Sequence, residues 1–303
     1  MPYSFHRFLI DFKTPPLSPL HADTMFGHLC WALKAVNGEE ALLSFLQQMQ
    51  GSDPLIILSD LLPRGYLPKR INLECSKTLP DKLKKQIKKL RYTKRADAFD
   101  DAKLAAAMAS TPNYAPEGLQ FDVTRTSIDR YTGKALDGGL FSCSTVVNRA
   151  GYDLYAAFAS EDIKELFLRL LYFIQSSSGY GADKSSGFGQ LGKIVPDEIE
   201  PEISTRLRVS SQKHCLALSG FVPINVRLSD CSYKLRVKYG RLAGDFAAPQ
   251  PFKRPLAFLD AGSVYLSEDN SMPVGSMVAD VAPQLSKKGV NVLQYGYALG
   301  LEL

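Results

Sequence analysis

The stretch from Ser176 to Gly192 restricts the fold more than any other part of this chain. It reads Ser-Ser-Ser-Gly-Tyr-Gly-Ala-Asp-Lys-Ser-Ser-Gly-Phe-Gly-Gln-Leu-Gly. Its five glycines, Gly179, Gly181, Gly187, Gly189 and Gly192, surround one lysine, Lys184. Glycine lets a backbone take positive φ or come close to another group. Serines and a lysine among glycines favour an anionic ligand, with phosphate the natural choice. The same composition also suits a flexible surface linker. A Walker A loop is excluded, because Asp183 and not glycine precedes Lys184, and a dinucleotide fingerprint lacks its third glycine at position 184. Both of those loops follow a strand and open a helix. This one follows a helix: Ser160, Glu161 and Asp162 open it, and Ile163, Leu166, Phe167, Leu170, Leu171 and Ile174 keep the 3.6-residue period. Leu191 to Val195 then reads as a strand.

The chain before that helix has a consistent pattern. Tyr3 to Phe12 alternates as a strand. After a proline-rich turn, His21 to Val36 reads as a helix with Asp23 or Thr24 as its N-cap and Met25, Leu29, Ala32, Leu33 and Val36 as its core stripe. A second helix is expected over Glu39 to Gln50. Asp81 to Arg95 is a basic helix with a thin stripe of Leu83, Ile87 and Leu90; it reads equally as a solvated face or as a patch for phosphates or an acidic partner. An alanine-rich helix is expected over Asp97 to Ser110. Val123 to Thr145 reads as a long hairpin turning at Thr132-Gly133, with Arg125, Arg130 and Lys134 beside Ile128 and Tyr131. Cations beside apolar and aromatic residues suit phosphate contact and wedging between bases, although an ordinary edge hairpin also fits. Tyr152 to Ala159 is a strand.

The acidic, proline-bearing run Pro196-Asp-Glu-Ile-Glu-Pro marks a domain boundary. Beyond it, His214 to Val222, Tyr233 to Tyr239, Leu256 to Leu259, Gly262 to Tyr265 and the C-terminal Gln294 to Leu303 read as strands, with loops at Gly240 to Gly244 and Pro251 to Pro255. The expected class is α+β: two ferredoxin-like (RRM-like) domains, over residues 1–200 and 201–303. The first carries a helical insertion at about 38–115, a thumb hairpin at about 123–145 and the glycine-rich loop at 176–192.

The formal net charge of +5 leans weakly towards a polyanion. The cysteines, Cys30, Cys75, Cys143, Cys215 and Cys231, are five and hold no Cys-x-x-Cys pair, so neither a zinc site nor a disulfide framework is indicated. No metal or cofactor is expected. The start lacks a signal-peptide pattern, and Leu166 to Ile174 is too short to span a membrane. A cytoplasmic protein is expected, with no membrane partner.

Several segments together carry a resemblance. They are His21-Ala-Asp-Thr-Met-Phe-Gly-His-Leu-Cys-Trp, Tyr66-Leu-Pro-Lys, Ile128-Asp-Arg-Tyr-Thr-Gly-Lys, Gly179-Tyr-Gly-Ala-Asp-Lys-Ser-Ser-Gly-Phe-Gly, Val237-Lys-Tyr-Gly-Arg-Leu-Ala-Gly, Pro251-Phe-Lys-Arg and Gly296-Tyr-Ala. They resemble the RAMP superfamily of CRISPR proteins, and look most like the fourth Csm subunit, the group that binds the crRNA 5′ handle in type III-A effectors. The resemblance implies a non-catalytic RNA-binding subunit. Its implied partners are the crRNA handle, a large HD/polymerase-like subunit, a backbone RAMP subunit and, indirectly, target RNA. Carried onto this sequence, Gly179, Gly181, Lys184, Ser185, Gly187 and Gly189 would line the handle. Arg125, Ile128, Arg130 and Lys134 would belong to the thumb. His21, Thr24, Lys69, Lys238, Arg241, Lys253 and Arg254 are further expected RNA contacts.

The alternative is an endoribonuclease. RAMP proteins that process crRNA precursors use a histidine near the first helix, where His21 and His28 both lie. A histidine there has a pKa suited to proton transfer. No second acid–base partner is evident in the sequence.

Overall fold

The computed structural model describes residues 3–71, 80–111, 114–242, 251–286 and 289–303. Cys75 and the end of the Gly240–Gly244 loop lie outside these residues. The first half runs β1 (Ser4–Phe12), α1 (Ala22–Asn37), α2 (Glu39–Met49), β2 (Ile56–Leu58), β3 (Leu62–Pro63), β4 (Tyr66–Pro68), α3 (Asp81–Lys89), β5 (Tyr92–Lys94) and α4 (Asp101–Ser110). The hairpin β6 (Gly118–Ile128) and β7 (Ala135–Asn148) follows, then β8 (Tyr152–Phe158), α5 (Glu161–Phe173) and β9 (Leu191–Asp197). The second half is made of short strands: β10 (Leu207–Arg208), β11 (Cys215–Ala217), β12 (Leu235–Lys238), β13 (Leu256–Leu259), β14 (Val264–Tyr265), β15 (Gly275–Val278), β16 (Gln294–Tyr297) and β17 (Gly300–Glu302). The chain is therefore α+β.

The main sheet has the order β2-β8-β1-β9, antiparallel throughout, with β3 added on β8. In chain order β1 is followed by α1 and α2, then by β2, β3 and β8, and finally by α5 and β9. β8 is central and buried along its whole length, which explains its near-continuous apolar run. The 3.6-residue stripe of α5 buries Phe167, Leu170 and Leu171. The Phe167 ring lies 5.2 Å from both Phe8 and Phe158, so one aromatic cluster joins helix to sheet. Ser160 caps α5 by accepting from the Ile163 amide.

Helix starts were the least legible feature. Neither Asp23 nor Thr24 caps α1. The helix begins at Ala22, and its first free amide donates to Asp60 Oδ1 at 2.8 Å. The basic helix ends at Lys89; Leu90 turns extended, and Tyr92–Lys94 pairs with β4. The alanine-rich helix starts at Asp101, with Asp100 as its cap, after a single 3-10 turn at Arg95–Asp97. The hairpin is longer than its sequence pattern predicts. The C-terminal run is two strands in different sheets: β16 pairs with β15, whereas β17 lies between β10 and β11.

The two halves share one core. Leu216, Leu218, Tyr297, Leu299 and Leu301 belong to the same buried cluster as Phe26, Leu29 and Leu58. The Phe26 and Tyr295 rings stack at 4.7 Å. The Leu58 amide donates to Tyr295 Oη at 2.8 Å, and Tyr297 Oη donates to the Met49 carbonyl at 2.7 Å.

Tyr295→Phe keeps the ring and leaves the buried Leu58 amide without its acceptor, a cost of about 1–3 kcal/mol. Tyr295→Ala, which also opens a cavity, is expected to cost about 3–5 kcal/mol. Urea unfolding midpoints measure both, and an unchanged midpoint for the Phe variant would remove that bond from the account.

Candidate nucleic-acid interface

The glycine loop is largely a knot that the fold ties for its own purposes. The regular turns of α5 widen into a π turn at Ile174–Ser178, and Gly179, at φ 67, reverses the chain. Tyr180 then plugs the core. Its ring is completely buried against Phe12 and His28, and its hydroxyl donates to the Pro19 carbonyl at 2.6 Å. Gly189 passes so close to this plug that a Cβ there would sit 1.8 Å from the Tyr180 carbonyl oxygen. That contact, not ligand binding, requires glycine at 189.

Most of the loop's amides are already spent. Tyr180 N–H donates to Gly189 O at 2.7 Å, Gly181 N–H to His28 Nε2 at 2.7 Å, and Ala182 N–H to Ser18 Oγ at 2.9 Å. Gly189 donates to Pro15 O at 3.1 Å and Gln190 to Thr14 Oγ1 at 2.9 Å. Gly179, Gly181 and Gly189 thus shape the loop from inside. The outer tip is Asp183 to Gly187, a short 3-10 turn entered through Asp183 at φ 56 and left through Gly187 at φ 86. The amides of Lys184 and Ser185 donate to no group among the described residues. Nothing lies within 4 Å of a Cβ built on Gly187, so its need for glycine is conformational. Partial burial lowers the Lys184 pKa.

The tip is tied to the hairpin. Arg125 Nη1 donates to Asp183 Oδ2 at 2.6 Å, and its guanidinium stacks over the Phe188 ring at 4.5 Å. At the hairpin's base, Thr145 Oγ1 donates to the Pro16 carbonyl at 2.6 Å. Arg125 is therefore the strut between two elements that the sequence treats separately, not a free cation. Beyond this strut the strand register breaks between Thr126 and Ile128. The turn that follows is closed by Asp129, whose carboxylate accepts from the Tyr131 amide at 2.7 Å. Its tip is bare: Ile128 is 61% exposed and Tyr131 fully so, and Arg130 and Lys134 are exposed without an ion pair among the described residues.

The remaining expected contacts divide. Lys238 pairs with Asp23. Lys253 donates to Gln294 Oε1 at 2.9 Å and to Leu293 O at 3.1 Å, and burial lowers its pKa to about 8. Lys69 donates to the Ile87 carbonyl at 3.1 Å. These three half-buried amines already make internal contacts. Arg241 and Arg254 are exposed; Arg254 donates to the Ala279 carbonyl at 3.3 Å. His21 stands 3.2 Å from Asp60 Oδ2 through Nδ1, and the Thr24 hydroxyl bonds to Tyr180. Among the described residues no His, Cys, Asp and Glu groups cluster as they would around a metal ion, and no helix is long and apolar enough to cross a membrane.

His28 is the functional-region residue that the sequence understates. Because Nε2 accepts the Gly181 amide, the ring must be neutral there. Burial, helped by the Lys184 charge, pulls its pKa down to about 4. The unfolded chain binds a proton at about 6.5, so the stabilisation from neutral His28 is complete above that pH and is lost as pH falls towards 4. The wild-type protein is expected to lose up to about 3 kcal/mol more than His28→Gln over this window. Denaturant titrations of both proteins at pH 7 and pH 4.5 measure the difference; parallel pH profiles would show that His28 does not hold the loop.

The sequence matches the RAMP superfamily over residues 9–192. No curated protein sequence matches the chain significantly. Among solved structures, the fold aligns with a chain of the Csm3-Csm4 subcomplex of the type III-A CRISPR-Cas interference complex. The TM-score is 0.64 at 14% identity, over 98% of this chain and 99% of that one. It also aligns with a chain of the Csm1-Csm4 cassette in complex with pppApA (TM-score 0.58, 15% identity, 100% and 98% covered). The same cassette in complex with cA4 gives 0.58 at 16% identity, with 100% and 98% covered. The hairpin, the glycine loop and the β2, β3 and β8 strands of the main sheet fall inside the matched residues, and the chain belongs to the RAMP superfamily.

Proposed function

We propose that this chain is a non-catalytic RNA-binding subunit of a type III-A CRISPR effector, that it holds the 5′ handle of the crRNA, and that it joins a large polymerase-like subunit to a backbone RAMP subunit. In this reading the chain is two ferredoxin-like domains, residues 1–200 and 201–303, and the hairpin is the thumb. The observation that carries it is the strut between Arg125 and Asp183. It locks the hairpin stem to the loop tip, so that Tyr131, Ile128, Arg130 and Lys134 project from a fixed base. A base can stack on an exposed aromatic while neighbouring cations hold phosphates. The free amides of Lys184 and Ser185 supply a second phosphate contact beside the stem. The solved neighbours come from complexes with Csm1 and with Csm3, which supports two separate protein partners for a chain of this fold. Target RNA would be reached only through the guide.

The alternative rests on His21 as a general base. The structure supplies the partner that the sequence lacks, because Asp60 lies 3.2 Å from the His21 ring. Yet the same carboxylate accepts the Ala22 amide. The pair thus has a sufficient role in starting α1, and the reading without catalysis is the one favoured here.

Labelled handle RNA tests both. Binding should weaken steeply with salt, and the double substitution Arg130→Gln, Lys134→Gln should reduce the log–log salt slope by about 1.4. Tyr131→Ala should cost about 1–3 kcal/mol of affinity. Unchanged slope and affinity would remove the hairpin from the RNA path. Precursor RNA should emerge uncut; site-specific cleavage that disappears in His21→Ala would establish the nuclease reading in its place.

A further inference from the structure

The insertion formed by α3, β5 and α4 is a satellite with its own small core. Ile87, Leu104, Met108 and Tyr114 are buried together, with Leu83 and Leu90 packed on them. It docks through its inner side. β4 pairs with β5, the Lys69 amide donates to Arg91 O at 3.0 Å, and Arg70 pairs with Asp101. Leu83 and Ile87 on α3, with Leu90 just beyond its end, form the inward stripe. Helical spacing puts Lys85, Lys88 and Lys89 directly opposite it, and these three and Arg91 are exposed.

The charge on this satellite is lopsided and uncompensated. Between Asp81 and Thr111 there are nine Lys or Arg and four Asp, a surplus as large as the whole chain's net +5. All four acids are engaged. Asp81 pairs with Lys84, Asp97 accepts from Tyr114 Oη, Asp100 caps α4, and Asp101 binds Arg70. Lys85, Lys88, Lys89 and Arg91 make no ion pair among the described residues. Like charges one turn apart destabilise a helix, and Lys85 and Lys89 stand in that relation.

We infer that this face, Lys85, Lys88, Lys89 and Arg91, binds the phosphate backbone of single-stranded RNA without selecting bases, as a site separate from the hairpin. Lysine is depleted in the buried centres of protein–protein interfaces, where aromatic and apolar anchors dominate. This face offers no such anchor, because every apolar side chain of α3 turns inward. Flexible ammonium groups on a convex helix match a run of phosphates and lack the stacking surfaces that would read sequence. The inference stands independently of the handle reading, since it uses none of the hairpin or loop residues.

The test is fluorescence anisotropy of a labelled oligo-U RNA on the full chain over a range of salt. The fourfold variant Lys85→Gln, Lys88→Gln, Lys89→Gln, Arg91→Gln should lower the log–log slope by about 2.8, and lose about tenfold or more in affinity at 100 mM salt. Its melting temperature should not fall, because the four side chains lie outside the core and loss of Lys85 and Lys89 relieves their repulsion. The loss should appear equally in the Arg130→Gln, Lys134→Gln background, so failure of the hairpin site and failure of this one are read separately. An unchanged slope in both backgrounds overturns the inference. So does unchanged RNA binding with loss of co-purification with a polymerase-like partner subunit, which would assign the face to protein.

Discussion

The Asp60 carboxylate is the joint on which the arrangement turns. Oδ1 accepts the Ala22 amide at 2.8 Å and so starts α1, while Oδ2 lies 3.2 Å from His21. Its own amide donates to Leu218 O at 3.0 Å, and the next amide, Leu61, to Leu20 O at 2.9 Å. Asp60 thus joins the strand region before β3 to the first helix through its carboxylate and to the second half of the chain through its backbone amide. Because α1 starts there, Asp23 falls inward, where Lys238 and Gln294 meet it. For the same reason His28, about two turns on from His21, faces Tyr180 and the loop. A buried carboxylate is tolerated only when donors surround it. Here the Ala22 amide donates to one oxygen and His21 Nδ1 lies beside the other, so the carboxylate is held by the start of the first helix.

A second network positions the insertion. Arg95 reaches Asp153 at 3.3 Å and Glu200 at 2.6 Å, and Arg7 reaches Glu200 at 2.7 Å and Asp197 at 2.5 Å. Asp153 is fully buried, and desolvation raises its pKa, while the Gly65 amide and the Arg95 charge oppose that rise. Buried ion pairs contribute little net stability, because desolvation offsets the attraction, although breaking one partner is costly. Their consequence here is geometric. They fix the satellite against the sheet, while the apolar stripe of α3 packs on the satellite's own core and leaves Lys85, Lys88 and Lys89 exposed.

The parts of the fold readable from sequence were those with local causes. The period of α5 and the apolar run of β8 follow from side-chain periodicity and burial. The unreadable parts depend on partners far along the chain. The α1 cap comes from 38 residues downstream, and the partner of Lys238 is 215 residues upstream. A lysine in a Lys-Leu-Arg-Val-Lys strand gives no local sign that one amine meets a buried aspartate. For the candidate site, the exposed hairpin tip was legible because polar and apolar residues mix there without a period. The strut at Arg125 was not, since its carboxylate lies 58 residues away.

These distances also decide which groups of the glycine loop are left without an internal partner. A Gly-rich segment binds phosphate through amides that have no other partner. In this chain the amides of Tyr180, Gly181, Ala182, Gly189 and Gln190 are consumed by His28, Ser18, Pro15, Thr14 and the loop itself. The amides without a partner among the described residues are confined to the turn from Asp183 to Gly187, which is anchored on one side by the Tyr180 plug and on the other by Arg125. Such a turn cannot wrap a ligand, but it can present two amides and one ammonium group in fixed positions. The other glycines give the loop rigidity through close backbone contact, so that the hairpin braced against it keeps a constant direction.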